Sequence, residues 1–270
     1  MIKFNVRNSK AQQKLERIMK MTGGNVSNSE KSEESTAKTE SQRDNRDEKT
    51  KGDEQRIINL LIVDESGSMS AIYHEALSGM NETIQSIQAK AEAIKGVEQY
   101  INLITFDTEH YKQHLRHCPA KKAHTLSAKD YRPGGGTPLY DAIGRAVTTL
   151  ERHITDNDAV VVTIITDGME NASREFSANE IRRLIERLSE NGWLFTFIGA
   201  NQDVMLEAGR IGIHHAMAFE ATHDGTNEMW EKEKMARETF FNRMEGYGNE
   251  CRIPMKERMR RINKEKYFDK

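Results

Sequence analysis

Apolar residues crowd into one stretch of the chain, from Ile57 to Ala221, and within it their spacing changes period again and again. Ile57–Val63 is a nearly unbroken aliphatic run, the pattern of a strand buried on both faces. Ile72, Ala76, Met80, Ile84, Ile87, Ala91 and Ile94 then recur at steps of three and four, which predicts an amphipathic helix. The alternation continues with a strand over Tyr100–Phe106, a neighbouring edge strand over Tyr111–Cys118, and a helix stripe at Leu139, Ile143, Ala146, Val147 and Leu150. Ala159–Thr166 reads as another buried strand, backed by a helix carrying Ile181, Leu184, Ile185 and Leu188. Trp193–Gly199 and Ala216–Phe219 are two further strands with a short helix between them. Met229, Ala236, Phe240, Met244 and Tyr247 mark one long helix. Strands alternating with helices of this length predict an α/β fold: a Rossmann-like, doubly wound, mostly parallel sheet with one antiparallel edge strand and helices on both faces.

The flanks are different. Residues 1–22 hold a short segment in which Ile2, Phe4 and Val6 alternate like a strand and Ala11, Leu15, Ile18 and Met19 follow at helical spacing. In residues 23–55 the only hydrophobic residues are Val26 and Ala37, too few to offset chain entropy, so a disordered polar linker is expected. The globular domain is placed at 56–247. Residues 248–270 form a basic tail, expected to be helical and solvated, with eight Lys/Arg from Cys251 onward against Glu257, Glu265 and Asp269.

Whole-chain charge changes this picture little. Lys+Arg 40 against Asp+Glu 42 gives a formal net charge of -2, which argues against a protein that coats nucleic acid by bulk charge. No run approaches the roughly 18 apolar residues that a membrane helix needs. The first residues lack the continuous apolar core of a secretion signal. Cys118 and Cys251 are too few for a disulfide framework, so the expected compartment is the cytoplasm.

In a sheet of this kind, ligands sit in the crevice beyond the carboxyl ends of the strands. Asp64-Glu65-Ser66-Gly67-Ser68 follows the first strand. Gly134-Gly135-Gly136-Thr137-Pro138 leads into a helix, and Asp167-Gly168 follows Ala159–Thr166. Short oxygen side chains converging there are hard-cation chemistry, suited to Mg²⁺ or Mn²⁺. Asp64-x-Ser66-x-Ser68, Thr137 after the glycines and Asp167 resemble the metal-ion-dependent adhesion site of von Willebrand factor type A domains. Gly136-Thr137-Pro138-Leu139-Tyr140-Asp141-Ala142 further resembles intracellular bacterial members of that family.

The resemblance implies that Ser66 and Ser68 ligate the cation through their hydroxyls and that Thr137 binds it directly or through water. Asp64 and Asp167 then act through water or by hydrogen bonding to the ligands. It also implies a protein partner whose Asp or Glu carboxylate completes the coordination. By position, Thr137 is the expected cap of the helix after Pro138, and Asp141 is expected to steady the ligand set. An alternative is a non-catalytic subunit or adaptor of an ATPase or modification complex.

Enzyme readings fit less well. An aspartyl-nucleophile phosphatase needs a second carboxylate two residues after the first, and that position is Ser66. A nucleophile elbow and a phosphate-binding loop are both absent from the sequence. His110, His114, His117 and Cys118 could suggest a second metal cluster, but regular strand geometry puts His110 and His114 on one face and His117 on the other.

Overall fold

A computed structural model describes residues 55–91, 94, 96–200, 204–249 and 253–268. The expected N-terminal segment, and the linker up to residue 54, lie outside the described residues. Six strands form one sheet: β1 (Gln55–Asp64), β2 (Val97–Phe106), β3 (Tyr111–Pro119), β4 (Asp158–Thr166), β5 (Leu194–Ala200) and β6 (His215–Phe219). Their order is β3-β2-β1-β4-β5-β6. All neighbours are parallel except β2 and β3, so β3 is the antiparallel edge strand. The chain leaves β1 towards β2 and later returns to β4 on its other side, which opens a crevice at the carboxyl ends of the central strands.

Successive β1 side chains point to opposite faces, and both faces are covered. Ile57, Leu61 and Val63 pack under α1 (Tyr73–Lys90), α5 (His223–Asn249) and α6 (Met255–Ile262). Ile58, Leu60 and Ile62 pack under α2 (Leu139–Glu151), α3 (Ala178–Glu190) and α4 (Val204–Arg210). That is why β1 reads as an aliphatic run rather than an alternation. A single 3-10 segment, Gly67–Ile72, connects β1 to α1. None of the helices among the described residues is long and apolar enough to cross a membrane.

Two boundaries differ from the sequence reading. The first strand begins at Gln55, within the stretch assigned to the linker. The basic tail is helical at α6, but it is built into the core rather than solvated: Met255, Met259 and Ile262 are buried against the face that carries α1 and α5. Asn263 Nδ2 donates to the carbonyl of Trp193 at 2.8 Å, and Arg260 Nε donates to that of Glu190 at 3.0 Å. The apolar residues recur at steps of four and three, so one stripe packs inward while Arg260 and Arg261 stay exposed; Arg258 is itself buried, its Nε donating to the Ile253 carbonyl at 2.9 Å.

Candidate metal centre

Asp64 closes β1 and is fully buried. Its Oδ1 accepts the Ser66 N–H at 2.7 Å and its Oδ2 accepts the Thr166 hydroxyl at 2.6 Å. This turn folds the chain so that Ser66 Oγ and Ser68 Oγ stand 3.1 Å apart. The Ser68 hydroxyl donates to Asp167 Oδ1 at 2.6 Å, joining the β1 loop to the β4 loop. Thr137 arrives from a third segment. Its backbone N–H donates to Asn171 Oδ1 at 2.9 Å, and its carbonyl accepts the Asn171 N–H at 3.1 Å.

The convergence can be measured from Gly168. A Cβ added there would lie 3.0 Å from Thr137 Oγ1, 3.4 Å from Ser68 Oγ and 3.7 Å from Asp64 Oδ2. Oxygens from the β1 loop and the Thr137 loop therefore converge on one point of the β4 loop, which a glycine leaves open. Gly135 is the second glycine the site needs. Its φ is +64°, and a Cβ would approach Thr108 Oγ1 to 2.4 Å. The Gly67 N–H donates to the Gly135 carbonyl at 3.1 Å, so the glycine loop is fastened directly to the serine turn.

Electrostatically the cluster is short of positive charge. Burial pushes the Asp64 carboxyl up to about 6, against the opposing hydrogen bonds from Thr166 and Ser66; Asp167 adds repulsion. Burial also raises Asp167, and among the described residues no Lys or Arg figures in the groups acting on either carboxyl. Glu65, equally buried and next in sequence, has its cation: Lys112 Nζ donates to it at 2.7 Å and the Thr105 hydroxyl at 2.6 Å. Glu65 is a strut between β1, β2 and β3, whereas Asp64 faces the oxygen cluster.

Two positional expectations are corrected. The helix α2 starts one residue later than a Thr137 cap requires, with Pro138 at the cap position and no side-chain cap bond. The Thr137 hydroxyl makes no hydrogen bond among the described residues and stays available. Glu170 accepts the Tyr140 N–H at 3.0 Å instead, from the far side of the β4 loop. Asp141 does not steady the ligand set. Its carboxylate accepts the backbone N–H groups of Arg174, Glu175 and Phe176, each at 2.8 Å, and shapes the segment leading to α3.

Thr166, Glu170 and Asn171 are the supporting residues that motif reading left without a role. Their only sequence signal is a polar run adjoining Asp167. The histidines do not converge: His110 contacts Asp107, His114 Nε2 lies 2.8 Å from Thr105 Oγ1, and His117 stacks on Tyr100. Beside the oxygen cluster a cavity of about 120 Å³ is lined by Gly168, Met169, Phe197 and Val204, with Met169 60% exposed at its rim.

Residues 59–170 match the model of the von Willebrand factor type A domain, a span that contains all five site residues. No curated protein matches the chain. Among solved structures, the pilus adhesin SpaC from Lactobacillus rhamnosus GG in its open conformation is similar over 69% of this chain and 30% of its own, at 13% identity and TM-score 0.50. The PilB minor pilin from Streptococcus sanguinis aligns over 70% of this chain and 62% of its own, at 12% identity and TM-score 0.49. The manganese-loaded TRAP protein of Plasmodium vivax aligns over 65% and 72%, at 17% identity and TM-score 0.46. The chain thus spans less than two thirds of the two pilus proteins, and at these identities the likeness concerns the fold.

Proposed function

We propose that the von Willebrand factor type A domain carried by this chain binds Mg²⁺ or Mn²⁺ and, through it, an acidic side chain of a partner protein. The observation that carries this reading is the ring of oxygens around the space in front of Gly168. Ser66, Ser68 and Thr137 would hold the ion by their hydroxyls. Asp167 would orient the Ser68 hydroxyl, Asp64 would fix the serine turn through the Ser66 N–H, and both would supply the negative charge that compensates the ion. Neutral donors withdraw little of a cation's charge, so a bound ion offers a Lewis-acidic position to a foreign carboxylate. Met169 and the adjoining cavity leave room for the apolar part of that partner's side chain. The domain is read as non-catalytic: in this reading the oxygens brought together serve as ligands and supports.

Calorimetry with Mg²⁺ and Mn²⁺ on the wild type, Asp64→Ala and Ser66→Ala tests the site. Saturable one-to-one binding is expected in the wild type and at least about tenfold weaker binding in both variants. Equal binding in all three would discard it. Affinity capture with and without EDTA then tests the partner's mode of contact. Loss of the captured protein in EDTA, and its loss again with Ser66→Ala, is the expected pattern. Capture of an ATPase or modification enzyme that ignores both changes would favour the adaptor role instead.

A further inference from the structure

A cavity of about 470 Å³ lies between α2 and the β2–β3 edge of the sheet, and its volume falls in the range of small-molecule sites. Ile104 and Leu150 give it an apolar floor, while Asn102, Arg116, His117 and His153 give it polar walls; no Asp or Glu lines it among the described residues. The polar wall is produced by a bulge. Leu103 pairs with Leu115 and Ile101 with Cys118, so the single residue Asn102 opposes two residues, Arg116 and His117. A bulge of this kind turns two consecutive side chains to one face, where a regular strand would send them apart. The local cost is visible in His117, whose φ is +41°. Asn102 holds the bulge by accepting the His117 N–H at 2.8 Å through Oδ1.

Two features are left over. Asn102 is 4% exposed, and its Nδ2 is buried with no hydrogen-bond partner among the described residues. Arg116 makes no ion pair or hydrogen bond among the described residues, whereas Arg56, across the cavity, is engaged with Asp158 at 2.6 Å. A positive charge and an orphaned donor beside an apolar floor, with no carboxylate bonded to either among the described residues, call for an acceptor-bearing anion.

We propose that this cavity binds a small organic anion with an apolar body, its acid group held by Arg116 and Asn102 and its body lying on Ile104 and Leu150. The site is separate from the cation centre and independent of it. The probe is 8-anilino-1-naphthalenesulfonate, compared with the neutral N-phenyl-1-naphthylamine, which lacks the sulfonate. Both are titrated by fluorescence into the full chain with EDTA present throughout, so that the cation centre does not contribute. Two variants are needed: Arg116→Ala, which removes the charge, and Thr149→Trp, which fills the mouth from an exposed position on α2.

One-to-one binding of the sulfonate is expected, weakened about tenfold or more in each variant, with the neutral arene indifferent to Arg116→Ala. Sulfonate affinity unchanged in either variant, or a neutral arene that binds as tightly as the sulfonate, would overturn the proposal.

Discussion

Two buried polar clusters draw on the same pair of strands, β1 and β4, and they solve the problem of buried charge in opposite ways. Under α5, Arg237 and Glu233 are each 1% exposed, and the guanidinium Nε donates to Glu233 Oε1 at 2.8 Å. Arg237 also donates to Asn59 Oδ1 of β1 and Thr163 Oγ1 of β4, both at 2.9 Å. That cluster contains its own cation and spends its donors on the sheet. At the carboxyl edge, Asp64 and Asp167 gather hydroxyls and backbone N–H groups but no cation. A buried carboxylate with a built-in partner is architecture. One supplied only with hydroxyls has room for a charge from outside.

The largest break comes from unbalancing the closed cluster. Arg237→Met strands the Glu233 carboxylate in the core and is expected to cost about 3–5 kcal/mol of stability. Adding Glu233→Leu should recover most of that loss, because the remaining groups are then neutral. Urea unfolding in EDTA measures both. A single variant within about 1 kcal/mol of wild type would mean that water or a rearranged α5 answers the charge, which the hydrogen bonds of Arg237 do not suggest.

Unbalancing the open cluster should act with the opposite sign. With its carboxyl raised to about 6, folded Asp64 holds its proton more tightly than it does in the unfolded chain. Ionising it in the metal-free fold therefore costs stability as pH rises from about 4 through 6, up to roughly 3 kcal/mol above that range. Asp64→Asn removes this cost but loses part of the carboxylate's hydrogen bonding. In EDTA at pH 7.5 the variant is expected to be more stable than wild type by roughly 2 kcal/mol, with the difference fading as pH falls below 6. Saturating Mg²⁺ should then stabilise the wild type and leave the variant unchanged. A variant less stable than wild type at pH 7.5 would place the worth of Asp64 in its hydrogen bonds rather than in an unmet charge.

The sequence exposes these clusters unequally, for physical reasons. Parallel strands buried on both faces must be aliphatic throughout, so β1 and β4 announce themselves as unbroken runs. Asp64, Ser66, Ser68, Thr137 and Asp167 stand out in the sequence because each lies at or just after a strand end or shortly before a helix, and chain order alone brings such positions to one edge. The supporting bonds are not legible. Glu170 and Asn171 act on backbone N–H groups of another segment, and nothing local distinguishes them from other loop polars. Asp141 lies in the first turn of α2, and that position alone does not say which backbone it faces. Bulges change the parity of β3, so strict alternation separates Arg116 and His117 from a shared face that they in fact occupy. The stripe of Met255, Met259 and Ile262 was present in the sequence, but the surrounding Lys and Arg made the segment look like a solvated tail.

The finest test of the comparison changes one carbon. Gly168 has a φ outside the left-handed region, so alanine is free of backbone strain there. Its Cβ would stand 3.0 Å from Thr137 Oγ1, closer than ordinary van der Waals contact, and the hydroxyl would have to yield by a few tenths of an ångström. In a well-packed core such crowding costs about 1–3 kcal/mol, whereas here it meets a hydroxyl that can swing aside. At a hard-cation site the same shift matters more, since Mg²⁺ demands near-ideal octahedral oxygen positions. Gly168→Ala is therefore expected to lower Mg²⁺ affinity about tenfold, with a smaller loss for the more permissive Ca²⁺ and almost no change in metal-free unfolding. Calorimetry with the two ions separates this from a general loosening of the loops, which would weaken both alike. Equal Mg²⁺ affinity in the variant would mean that Thr137 and Ser68 do not meet around the point that Gly168 leaves open.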